Sequence, residues 1–145
     1  MLFKILDSQK LVDIKVQNYL INWNKKITRG GKKNFGKFQF DVKRLLRPFW
    51  EEDIVLEEMP VPALSGQRGK SIDIVNITQG ICVECDGEHH GKVGWMHKDK
   101  ECLRKQLYRD DYKLRWAELN GFKMVNIYED DELNIGLLKR LEILP

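Results

Sequence analysis

The sequence predicts an α/β fold in which a small mixed β-sheet is flanked by helices. Apolar residues recur at three- and four-residue intervals from Lys37 to Phe49 and from Asp99 to Asn120. Short runs of strand-forming residues lie at Asp53–Pro60, Ser71–Asn76, Gly80–Asp86 and Phe122–Tyr128. The segments follow one another as helix, strand, strand, strand, helix, strand, helix, an order that suits helices packed on a mixed sheet. With 145 residues, 42% of them hydrophobic, the chain is long enough for one domain with a core of its own and too short for two. A basic N-terminal arm is expected over residues 1–36 and a single core over 37–145.

No apolar run approaches the eighteen or so residues of a membrane span, and the opening MLFKIL run is broken by Lys4 and Asp7, unlike a signal peptide. A soluble intracellular protein is expected. Three cysteines, Cys82, Cys85 and Cys102, are an odd number without framework spacing, which fits a reducing compartment.

Taken in order, residues 1–24 place Leu11, Ile14, Leu20, Ile21 and Trp23 on neither period, so helix and strand both stay open. Asn24–Gly36, with its Gly pair and lysine cluster, reads as a flexible loop. The net charge is only +3, yet Ile14–Phe40 holds no acid and seven cations: Lys15, Lys25, Lys26, Arg29, Lys32, Lys33 and Lys37. With Tyr19, Trp23, Phe35 and Phe38 interleaved, this is either an anion-binding surface or a solvated basic face. From Lys37, the residues Phe38, Val42, Leu45, Leu46 and Phe49 predict a helix of about ten residues that Pro48 ends. Asp41 shares its face with Phe38 and Leu45, either at a helix rim or pointing into a polar site.

Asp53–Pro60 predicts a strand, followed by a Pro- and Gly-rich connection over Val61–Lys70. Ser71–Asn76 and Gly80–Asp86 pair across Ile77, Thr78 and Gln79, with Gly80 suited to positive φ. Lys92–Cys102 is heavily charged after a glycine-bearing start and leads into the long helix, whose Asn120 and Gly121 form a stop signal. Phe122–Tyr128 is the last strand. Asp130, Asp131 and Glu132 precede a final helix over Leu133–Leu141, where acids favour a helix start.

Chemistry concentrates in Ser71–His90, SIDIVNITQGICVECDGEHH. Residues facing each other across a hairpin lie about 5 Å apart, and Asp73 and Glu84 are symmetric about the turn to within one residue. Glu84 and Asp86, two apart on a strand, share a face. Three converging carboxylates repel one another unless a cation neutralises them, and hard oxygen donors at this density suit Mg2+ or Mn2+. His90 is placed to act as general base or to protonate the leaving oxygen. The competing reading is a solvated strand face paired with Lys or Arg. Cys82, Cys85, His89, His90 and Cys102 also suggest zinc, but a CxxC spacing on a strand points its two thiols to opposite faces. His89, His97, Trp95 and Trp116 read as surface or packing residues. Lys98, Lys100, Arg104, Lys105 and Arg109 form either a phosphate track or a solvated helix side.

The string of Asp73, a turn, Glu84, Asp86, His90, then Gln106, Arg109, Asp110, Lys113, Asn120 and Gly121 before a strand resembles the PD-(D/E)XK nuclease superfamily. Within it, the similarity is to the branch of very-short-patch-repair-like and phage homing endonucleases that carries an E, D, H, D pattern, over about Lys37–Tyr128. The resemblance implies a restriction-endonuclease-like core and a metal-dependent DNA endonuclease of a bacterial or phage-infected cytoplasm. It puts the first-helix acid at Asp41, where Glu is usual, and the strand acids at Asp73 and Glu84. His90 takes the family's histidine, and the long-helix acid falls on Asp110, with Asp111 as the alternative. Asp86 stands where the superfamily's catalytic Lys is expected, which favours the His-bearing branch.

On this reading Asp73, Glu84, the Cys85 carbonyl and Asp86 hold Mg2+ or Mn2+, His90 is the acid/base, and Asp41 and Asp110 complete the site. Lys25, Lys26, Arg29, Lys32, Lys33 and Lys37, with Arg104 and Lys105, grip DNA, and sequence reading comes from loops, a homodimer or DNA structure. A DNA-binding or repair-accessory module without turnover is the alternative. A protein-interaction domain has no specific feature in its favour.

Overall fold

A computed structural model describes residues 1–25, 33–62, 71–87 and 100–145, with the side chains of 33–35, 100, 102, 103 and 106 left undescribed. Chain order is β1 (Leu2–Lys4), β2 (Leu11–Asp13), a 3-10 turn (Val16–Asn18), α1 (Lys33–Trp50), β3 (Val55–Pro60), β4 (Ser71–Asn76), β5 (Ile81–Asp86), α2 (Lys100–Leu119), β6 (Lys123–Tyr128) and α3 (Ile135–Arg140). The sheet order is β3-β4-β5-β6, antiparallel except for the parallel β5-β6 pair, and β1 and β2 form a separate two-stranded ribbon. Mixed α/β architecture around a small mixed sheet is thus as the sequence predicts.

The β4–β5 turn shows why the hairpin forms. Gly80 takes φ +71, a left-handed conformation that L side chains rarely adopt. Asn76 Oδ1 accepts the Gln79 N–H at 2.8 Å, while the Asn76 and Gln79 side-chain amides both donate to Asp53 Oδ2, at 2.9 and 2.8 Å. Turn and β3 entry are therefore tied together.

Each sheet face has its own core. Val42, Leu46 and Trp50 of α1, all fully buried, meet Ile74, Val83, Cys85, Val125 and Ile127, joined by Leu137 and Leu138 of α3. Burial of each such large side chain contributes about 1.5–3 kcal/mol. On the opposite face Tyr112, Trp116 and Ala117 of α2 meet Val75, Cys82 and Phe122. Helix α2 ends in a Schellman cap: Phe122 N–H donates to Ala117 O, Gly121 N–H donates to Glu118 O, and Gly121 has φ +79.

Two expectations need correction. Helix α1 spans 18 residues and carries Pro48 inside its last turn, because buried Trp50 anchors the end beyond it. The acids before α3 lie outside its first turn: Asn134 is the N-cap and accepts from Leu137 N, and Asp131 Oδ2 turns back to accept the Tyr128 N–H. Residues 1–25 pack onto the core. Phe3 lies 5.5 Å from the Trp116 ring, Tyr19 O and Ile21 N–H hydrogen-bond β3, and Lys43 Nζ of α1 donates to Asn22 O, Lys25 O and Glu57 Oε2. Among the described residues no helix is long and apolar enough to cross a membrane.

Candidate functional site

The β4–β5 register fixes the geometry. Ile74 pairs with Val83, Val75 with Cys82 and Asn76 with Ile81. Asp73 and Glu84 come next on their strands, and their side chains meet in a hydrogen bond. Val83 and Cys85 face the α1 core, so alternation turns Glu84 and Asp86 to the α2 face, where Asp73 meets Glu84. The two thiols of the CxxC spacing follow the same rule: Cys82 lies in the α2-side core and Cys85 in the α1-side core.

Asp73 is 1% exposed, and its Oδ2 accepts the Cys85 N–H at 2.7 Å. Glu84 is 8% exposed, and Lys113 Nζ stands 3.2 Å from its Oε1. Burial, foremost, pushes the Glu84 carboxyl well above the usual carboxylate range. The charge of Asp73 adds to this, Lys113 opposes it, and Asp86 adds again.

Helix α2 brings the remaining groups. Its buried stripe, Tyr112, Trp116 and Ala117, seats it on the sheet. Lys113, three and four residues before the last two, falls at the stripe's edge, over β5. A cavity of about 380 Å³ opens there, lined by Glu84 and Asn126 from the sheet and by Asp110, Asp111, Lys113 and Leu114 from α2. Asp110 is half-buried, while Asp111 is exposed and 3.9 Å from Arg115. Both readings of the helix acid therefore border one cavity.

Other expected site residues are placed elsewhere. Asp41 lies half-buried on α1, which covers the sheet face opposite Glu84, and among the described residues it makes no hydrogen bond or ion pair. The Cys85 side chain points into the α1 core, leaving its backbone at the site. His90, Lys26, Arg29 and Lys32 lie outside the described residues, as do His89, Trp95, His97 and Lys98. Lys25, Lys37, Arg104 and Lys105 are exposed, and Lys33 begins α1. Arg104 is 3.5 Å from Glu101.

Three residues at the site were not assigned roles from sequence. The spacing of Lys113 from Trp116 and Ala117 marks its place at the stripe's edge but not its partner. Asn126 is the β6 residue paired with Glu84. Glu58, which borders the site on β3, sits between Glu57 and Met59, which pair with Ile74 and Ile72, the neighbours of Asp73 on β4. Its φ of 50 is a left-handed backbone in mid-strand, and its Oε2 accepts from Ser71 Oγ at 3.1 Å. No sequence pattern signals that strain.

Among the described residues no three His, Cys, Asp or Glu side chains are gathered as around a bound ion. Asp73 engages a backbone N–H and Glu84 an ammonium. The donor types present, carboxyl oxygens and a backbone carbonyl, are those that hard cations take. Asp73, Glu84 and Asp86 offer carboxyl oxygens, and burial first, with the neighbouring acids after it, raises the proton affinity of Glu84. Comparison with protein-family models, curated proteins and solved structures finds no match.

Proposed function

We propose that this protein is a metal-dependent endonuclease that hydrolyses DNA phosphodiester bonds, built on a restriction-endonuclease-like core of the PD-(D/E)XK type. The observation that carries the reading is the meeting of the buried Asp73 and Glu84 carboxyls, under a helix that presents Asp110 and Lys113 to the cavity that Glu84 lines. An acidic cluster of this kind is a poor surface for binding phosphate unless a cation mediates.

Asp73, Glu84, the Cys85 carbonyl and Asp86 would hold Mg2+ or Mn2+. When bound, the ion supplies a water of lowered pKa and stabilises charge on the phosphoryl oxygens. Asp73 is oriented for this by the Cys85 N–H, which fixes one of its oxygens. His90 moves the proton to or from the attacking water or leaving oxygen. Asp110 borders the cavity and orients the site from α2. The exposed Lys25, Lys37, Arg104 and Lys105 contact the DNA backbone, joined by Lys26, Arg29, Lys32 and Lys33 of the basic stretch. Binding is then strongly salt-dependent. Sequence reading is assigned to loops, a homodimer or DNA structure.

The test is incubation with supercoiled plasmid and branched DNA in Mg2+, Mn2+ or EDTA, comparing wild type with Glu84→Ala and His90→Ala. Cleavage that needs metal and both side chains supports the reading. Metal-independent or mutation-insensitive cleavage overturns it, and tight DNA binding without cleavage in any metal replaces it with an accessory module.

A further inference from the structure

Lys113 is a cation that the carboxylate cluster already holds. Its side chain is 14% exposed, and its Nζ lies 3.2 Å from Glu84 Oε1. That oxygen nevertheless accepts no hydrogen bond, so the contact is one of charge without directional locking. A divalent cation binds carboxylate oxygens at about 2.0–2.1 Å, and an ammonium and a dication cannot share one oxygen without strong repulsion. Occupation of Oε1 by a metal therefore requires Lys113 to move.

The cavity beside the contact gives the side chain somewhere to go. Lys113 lines it together with Asp110 and Asp111 of its own helix. A phosphate entering between those two acids meets repulsion unless a cation accompanies it, and the four-carbon stem of a lysine allows a point charge to be re-aimed. We infer that Lys113 is an exchangeable partner of Glu84 Oε1 that transfers to a DNA backbone phosphate when a divalent cation takes that oxygen. This rests on the endonuclease reading and adds a positioning role that the sequence pattern does not assign.

The exchange predicts effects of opposite sign on two ligands. In the full-length protein, metal-stripped and titrated with Mn2+ under electron paramagnetic resonance at pH 8, Lys113→Met binds Mn2+ about tenfold tighter than wild type. The same variant binds duplex DNA in Ca2+ several-fold more weakly, and its plot of log affinity against log salt is shallower by about 0.9, one phosphate contact. Lys113→Gln behaves like Lys113→Met, should the latter not fold, and Lys113→Arg resembles wild type. In a Glu84→Gln background, Lys113→Met leaves Mn2+ affinity unchanged.

A lysine that only supports the fold weakens both ligands together, and that result overturns the exchange. So does unchanged Mn2+ affinity in both neutral variants while Glu84→Gln still loses Mn2+. Wild type that binds no Mn2+, or that binds it no better than Glu84→Gln, overturns instead the endonuclease reading on which the exchange rests.

Discussion

The Asp73 carboxylate accepts the backbone N–H of Cys85, on the neighbouring strand, at 2.7 Å in a buried setting. One side chain thus closes the hairpin and stands at the proposed metal site. Asp73→Ala strands that N–H without a partner, at an expected cost of about 1–3 kcal/mol. Asp73→Asn keeps an acceptor oxygen and costs less. Urea unfolding of both variants checks the order, and equal destabilisation contradicts a hydrogen-bonding role.

Glu84 predicts a pH dependence of stability. Below the ordinary carboxylate range, folded and unfolded chains both hold its proton. Above that range but below the raised folded value, only the folded chain does, so folding takes up a proton and stability falls as pH rises. The fall stops once the native carboxyl has ionised. Glu84→Gln should flatten it, measured as urea midpoints from pH 5 to pH 8 at constant ionic strength without divalent ions.

Lys43, fully buried, holds the N-terminal segment through Asn22 O and Lys25 O and pairs with Glu57 at 2.9 Å. Lys43→Met leaves Glu57 and two carbonyls without their cation and should destabilise by about 3 kcal/mol. The double variant Lys43→Met, Glu57→Met should recover part of that loss, because the stranded carboxylate is gone. Denaturant unfolding of the three variants measures the coupling, and strictly additive losses would show that the pair acts independently.

Much of this architecture is legible in the chain because its signals are local. Gly80 with strand-forming runs on either side marks the hairpin, and Asn120 with Gly121 marks the end of α2 within a residue. The opening residues resist reading because β1 and β2 are three residues each, too short to show alternation. Helical spacing places Asp41 beside Phe38 and Leu45 but carries no information on which sheet face α1 covers. Lys113 is hidden differently: a lysine at the edge of a buried stripe looks the same in sequence whether it meets solvent or a carboxylate.

The central claim is that Asp73 and Glu84 act as a metal-holding pair in DNA hydrolysis. It is tested most directly by the single-turnover cleavage rate of end-labelled duplex DNA in Mg2+, with the protein in excess, for wild type and Asp73→Asn. The account predicts wild-type cleavage abolished by EDTA, and a loss of at least about a hundredfold in Asp73→Asn with folding and DNA binding retained. This corresponds to nearly 3 kcal/mol of transition-state stabilisation. Cleavage that survives EDTA, or a folded Asp73→Asn as fast as wild type, would contradict it.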